Sequence, residues 1–222
     1  MTFQNFQKAR EAMVVSQLQP SGVVDVAVND AFFSVPREDY APEQLRGVCY
    51  LDDDLLIGQG RFMLEPLPFA LMVQNAGLTK KSNVLDIGTG TGYSAAILSV
   101  LSGKVTAVDS SEKLLHSAKT SWEKAAFKNI TPVLGRHCDG YKASAPYDAI
   151  FINGAVGSVP HSLMSQLSKA GRLYCIMRKE EEYCGKVTVF KLSETGQLIS
   201  ESLGDAFAPY LEGFVPDQEF EL

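Results

Sequence analysis

Val84-Leu85-Asp86-Ile87-Gly88-Thr89-Gly90-Thr91-Gly92-Tyr93 decides the fold. Four residues from Val84 read as a short strand carrying a carboxylate. Three alternating glycines follow, and Ser94-Ala95-Ala96-Ile97-Leu98 opens a helix. Strand, glycine loop and helix start form the layout of a nucleotide-handling crossover. Glycine permits close approach of backbone and ligand, or a positive φ. The helix start adds free N–H groups and the positive end of a dipole.

Working outward, strands and helices alternate. Strand 83–87 precedes a helix over about 92–101, and Val105–Val108 is a strand ending at Asp109. Ser110 or Ser111 caps a helix to about Ala126. Strands follow at 130–134, 148–152 and 171–177, with Asn153-Gly154 expected to turn the chain away and Pro160 to open a helix to about Ser168. Residues 184–192 and 197–204 alternate and flank Thr195-Gly196, the pattern of an antiparallel hairpin. Strands separated by helices imply a doubly wound, mainly parallel α/β sheet, here seven-stranded and Rossmann-like with a C-terminal antiparallel hairpin. Ligands in such sheets bind at the carboxyl ends of strands, where Asp86, Asp109 and Asn153 converge.

Upstream of the sheet lies a helical extension. Residues 3–18 and 24–34 read as helices, the second with Val24, Val28, Ala31 and Phe32 on one face. Pro66 starts a helix stopped by Gly77. Between them, Asp52-Asp53-Asp54 reads as a solvated turn or as a rim for cationic groups. Gly58-Gln59-Gly60 suggests a loop of unusual backbone angles or close ligand approach.

The 222 residues suffice for one sizeable α/β unit with an extension. Apolar residues at 45% and charged residues at 21% give a globular composition. A net charge of −6 without a basic stripe argues against nucleic acid as partner. No apolar run reaches membrane-span length, and the first residues lack a signal-peptide pattern. Cys49, Cys138, Cys175 and Cys184 are not spaced for metal or disulfides, so reduced cysteines in a cytoplasmic protein are expected. No metal site is expected, and His137-Cys138 reads as a loop pair without function.

Two cofactors fit an acidic residue after the second sheet strand. The dinucleotide fingerprint requires a third glycine where Tyr93 stands. Asp86, two residues before Gly88, is awkward for pyrophosphate but suits a cation. S-adenosylmethionine carries a sulfonium and an ammonium and no phosphate, and the loop chemistry favours it over NAD.

Val84–Tyr93 with Asp109 resembles the class I methyltransferases. Ser34-Val35-Pro36-Arg37-Glu38, Leu56-Ile57-Gly58-Gln59-Gly60, Cys138-Asp139-Gly140 and Tyr147-Asp148-Ala149-Ile150 narrow this, in order and spacing. They look like the protein-L-isoaspartate O-methyltransferase family over about residues 24–192. The resemblance implies a methyl transfer from S-adenosyl-L-methionine to a carboxylate of a damaged protein or peptide. It implies that Asp86, Gly88, Thr89, Gly90 and Gly92 hold the methionine end, and that Asp109 with Ser110 holds the ribose. Asp139 and Gly140 would meet the adenine, while Gly58, Gln59, Gly60 and Arg61 would border the methionine moiety and the substrate entrance. Arg37 reads either as a substrate contact or as a structural loop arginine. Residues 1–82 then form a substrate-side extension and 83–222 the cofactor-binding domain, in one compact unit, with a monomer favoured.

One stretch departs from the family. Ile57 to Pro66 aligns without a gap to its Ile-Gly-x-x-x-Thr-Ile-Ser-x-Pro pattern, so Leu64 stands where the hydroxyl residue belongs and Phe62 replaces the threonine. No catalytic residue is assigned. Leucine cannot hydrogen-bond a substrate carboxylate, which leaves two alternatives: another acceptor, a small molecule among them, or cofactor binding with little turnover. Arg61 reads either as an anion-orienting group or as a solvent-facing side chain.

Overall fold

The computed structural model describes residues 5–193 and 195–216. Helix α1 (Phe6–Met13) runs into a wider turn over Val14–Leu18, and α2 (Val26–Ser34) follows. Asp25 caps α2 by accepting from the Val28 N–H at 3.1 Å, so the helix starts later than its apolar pattern suggested. Val24 is left outside the helix and exposed, while Val28, Ala31 and Phe32 are buried.

The stretch before the sheet contains an element the sequence reading missed. Leu55–Gly58 (β1) and Arg61–Met63 (β2) pair antiparallel, turning through Gln59-Gly60. Leu55 and Ile57 point inward and Leu56 outward, an alternation hidden because all three are apolar. Gly58, Gln59 and Gly60 all adopt positive φ, as the paired glycines suggested. Helix α3 (Pro66–Ala76) ends at Gly77 in the left-handed conformation.

The main sheet has the order β5-β4-β3-β6-β7-β8-β9. Its strands are β3 (Asn83–Ile87), β4 (Lys104–Asp109), β5 (Ile130–Leu134), β6 (Tyr147–Val156), β7 (Leu167–Met177), β8 (Gly185–Leu192) and β9 (Leu198–Ala206). The first five lie parallel; β8 and β9 form the antiparallel closure. Helices α4 (Tyr93–Leu101) and α5 (Glu112–Lys124) follow β3 and β4. The chain order reverses between β3 and β6, which puts the ligand crevice at the end of β3.

Two boundaries differ from expectation. Helix α6 covers only His161–Met164, because Leu167 already pairs with Tyr147 and starts β7. The chain does not turn away at Asn153-Gly154; β6 bulges there and resumes, with Ala155 opposite Ile176. One apolar cluster runs from Met13 and Phe32 in the extension through Val84 and Tyr174 in the sheet, so both parts share a core. Tyr93 fastens them: it lies edge-on to Phe32 at 6.3 Å and under the Arg37 guanidinium at 4.9 Å.

Candidate active site

The crevice is built on the ends of β3 and β4. Asp86 is fully buried and accepts from the Ser94 hydroxyl and the Asn153 amide, each at 2.7 Å. Burial pushes its carboxyl up to about 6, the hydrogen bonds from Asn153 and Ser94 offsetting part of the cost. Asn153 also donates to the Ile87 carbonyl at 3.0 Å, tying β6 to the start of the glycine loop. Gly88 and Gly90 take φ of +72° and +56°, where a side chain would be strained. Asp86 thus braces the loop from beneath and has no open face to a ligand.

Asp109 is buried too, but its neighbours carry charge. It accepts from the Gly90 N–H at 2.8 Å, the Ser111 N–H at 2.9 Å and the Arg61 guanidinium at 3.2 Å. Burial pushes this carboxyl up; His137 beside it, the Arg61 charge and the two backbone N–H groups outweigh that and hold it below its ordinary value. Ser110 turns outward, its hydroxyl donating to Glu212 at 2.7 Å.

Burial settles one of the two readings of Arg61: it does not face solvent. Its side chain is 7% exposed and donates to Asp109 and, at 3.1 Å, to the Gly88 carbonyl. It also approaches His137 Nε2 at 3.3 Å. The Ser110 N–H points at the same nitrogen from 3.2 Å, and Nδ1 on the other side of the ring lies 3.0 Å from the Glu212 carbonyl. His137 is 2% exposed and central to this network, not the idle loop residue its sequence neighbourhood suggested. Its one sequence signal was its place just before Cys138-Asp139-Gly140, after β5.

The segment after β9, to which the sequence assigned no role, closes the crevice. It is stitched to β6 by Ala155 N–H to Pro209 and Leu211 N–H to Ala155, at 2.8 and 3.0 Å. Leu211 reaches over Gly88, with its methyls 2.9 Å from where a Cβ would lie. The tail from Asp217 to Leu222 falls outside the described residues.

Leu64 is buried and lines a cavity of about 20 Å³ with Ile57, Phe62, Thr91 and Asn153. The Arg37 guanidinium, 1% exposed, donates to the carbonyls of Cys49 and Leu64 at 2.7 and 2.8 Å. Arg37 is therefore structural, holding the backbone that presents Leu64. Asp139 is exposed, 3.9 Å from Arg136, while Gly140 has φ +59° against Gln166. Asp52 and Asp53 are exposed; Asp54 turns in, accepts from the Glu65 N–H at 2.8 Å and is pushed up to about 6 by burial. Among the described residues no cluster of metal-ligating side chains occurs.

A doubly wound sheet with a left-handed glycine loop after β3 and a carboxylate ending β4 is the frame of the class I methyltransferases. Comparison with known proteins narrows the class. Residues 8–209 match the family described as Protein-L-isoaspartate(D-aspartate) O-methyltransferase (PCMT). A protein-L-isoaspartate O-methyltransferase of Methanoculleus marisnigri is 36% identical over 166 residues, covering 75% of this chain and 76% of the relative. A protein-L-isoaspartate O-methyltransferase 2 of Marinobacter nauticus is 34% identical over 94% of this chain and 95% of its own. A solved protein-L-isoaspartate O-methyltransferase superposes with a TM-score of 0.77 at 25% identity, over 94% of this chain and 66% of that one. A beta-aspartate methyltransferase structure from Plasmodium falciparum, in complex with S-adenosyl-L-homocysteine, shares the fold, with a TM-score of 0.76 at 18% identity over 94% and 98% of the two chains. The chain belongs to the protein-L-isoaspartate(D-aspartate) O-methyltransferase family.

Proposed function

We propose that this protein transfers a methyl group from S-adenosyl-L-methionine to a carboxylate of a damaged protein or peptide. The observation that carries the reading is the pairing of the glycine loop with Asp109 at the switch point, in a chain that matches the family over residues 8–209. The acceptors present fit the cofactor's donors: the Asp109 carboxylate suits ribose hydroxyls, and the Gly88 carbonyl suits an ammonium. Space is the constraint, since Arg61, Ile57 and Leu211 fill the cradle above Gly88 and Gly90.

Bound there, the cofactor supplies an electrophilic methyl on its sulfonium. A carboxylate acceptor is ionised at neutral pH and needs no general base, so the protein's task is to position and to exclude water. Asp86, Asn153 and Ser94 fix the loop for this, and Arg37 fixes the Leu64 backbone facing it. Asp139 and Gly140 are the adenine-side candidates, Ser110 and Gln59 the rim. Residues 1–82 serve as the substrate-side extension of the cofactor domain 83–222.

No helix among the described residues is long and apolar enough to cross a membrane. Four free cysteines support a cytoplasmic site of action. The test combines calorimetric titration with S-adenosylmethionine and radiolabelled methyl transfer to an isoaspartyl peptide. Binding with transfer is expected, and Leu64→Ser is expected to raise the rate by restoring an orienting hydroxyl. Binding without transfer would remove the isoaspartyl acceptor from the reading; no binding would remove the methyl donor.

A further inference from the structure

We propose that Arg61 is the affinity-setting residue of the cofactor crevice: its guanidinium occupies, from within the chain, the acceptors that the cofactor's own donors require. The inference rests on the reading of the crevice given above and adds a competitor built into it.

Three observations converge. The guanidinium donates to the Gly88 carbonyl, at the start of the glycine loop, at 3.1 Å and to Asp109, at the end of β4, at 3.2 Å. A guanidinium only donates, so it leaves neither acceptor free in the direction it faces. Second, the space around Arg61 is unequal. On one side Arg61 lines a cleft of about 480 Å³ with Gln59, Ser110 and Glu212; the space it shares with Leu64 measures about 10 Å³, and the cavity deeper against Leu64 about 20 Å³. The inner space holds about one water, far less than a nucleoside-sized group needs. Third, the plug is clasped. His137 holds the guanidinium at 3.3 Å and the Glu212 carbonyl at 3.0 Å, while the Glu212 carboxylate takes the Ser110 hydroxyl at 2.7 Å.

Arg61 sits where its side chain alone has to move. Strands β1 and β2 form their own two-stranded sheet and meet in a turn of consecutive positive-φ residues, with Arg61 the first residue after the turn. Leu55, Ile57 and Met63 keep the hairpin in the core, so the guanidinium leaves by rotating about its own long side chain and no ladder bond has to break. Cofactor binding then requires Arg61 to leave, and the apparent affinity falls by the fraction of molecules already open.

The test uses the full chain and S-adenosyl-L-homocysteine as probe. Arg61→Gln keeps hydrogen-bond donors and removes the charge; it should tighten calorimetric binding by about tenfold, the tax of a crevice open in a tenth of molecules. An independent readout is modification of the wild-type protein by phenylglyoxal, mapped by peptide mass. Arg61 should react slowly in the free protein and several-fold faster at saturating probe. Equal affinity of wild type and Arg61→Gln, or an Arg61 reaction rate unchanged by saturation, would overturn the proposal and leave the cofactor reading intact. Absence of binding in both folded proteins would overturn the cofactor reading itself. Should Arg61→Gln fail to fold, the modification rates alone decide.

Discussion

The ends of β3 and β4 lie side by side in the sheet, and each buries a carboxylate completely. Asp86 on β3 is pushed up to about 6, whereas Asp109 on β4 is held below its ordinary value. Depth does not separate them; partners do. Asp86 is held by a neutral hydroxyl and a neutral amide, which satisfy its oxygens without balancing its charge. Asp109 has a guanidinium and two backbone N–H groups. One end is a brace held by neutral groups and the other an ion pair.

The sharpest way to break that comparison is Asp109→Ala. It strands a buried guanidinium, which should cost about 3–5 kcal/mol in urea unfolding. A loss under about 1 kcal/mol, the range of exposed pairs, would mean that Arg61 is solvated and the end of β4 is no ion pair.

Next is the pH dependence of the brace. The proton of Asp86 is held more tightly in the folded chain, so its contribution to stability is greatest below pH 4 and falls as pH rises toward 6. Asp109 has the opposite sign, stabilising above its ordinary titration range and losing that contribution as pH falls. Asp86→Asn should remove a decline of about 2–3 kcal/mol between pH 4 and 7. The check is the difference between variant and wild type in urea midpoints across that range.

Gly92→Ala probes the loop that joins the two ends. Gly92 has φ +97°, and an added Cβ would lie 2.7 Å from the Trp122 ring, whose indole N–H donates to the Gly92 carbonyl at 2.9 Å. A loss of about 2 kcal/mol is expected in thermal unfolding. Trp122 is the chain's one tryptophan, so its emission should shift with the loop.

Asp139→Ala should have the smallest effect on stability. Its side chain is 62% exposed and its contact with Arg136 is 3.9 Å, so a change within about 0.5 kcal/mol is expected. Calorimetry should nevertheless register weaker binding of S-adenosylhomocysteine if this residue meets the adenine. Unchanged affinity would confine recognition to the ends of β3 and β4.

The sequence by itself determined the frame. Alternating apolar strands and amphipathic helices specified a doubly wound sheet, because period and length are local properties. The glycine spacing and Asp109 marked the crevice for the same reason: a positive-φ turn needs glycine whatever packs around it. The Leu64 departure was equally legible, being a matter of residue type at a fixed spacing. Tertiary structure alone decided what fills the crevice. Arg61 lies 48 residues from Asp109, and His137 lies 75 from Glu212. No periodicity relates such positions; they meet because β2, β4 and the segment after β9 end at one edge of the sheet. The short β1–β2 pair was hidden likewise, since three consecutive apolar residues carry no alternation and only the partner strand gives them a register. An arginine that sequence left between solvent and an anion-orienting role is buried here because the fold brings a carboxylate, a carbonyl and an imidazole to it.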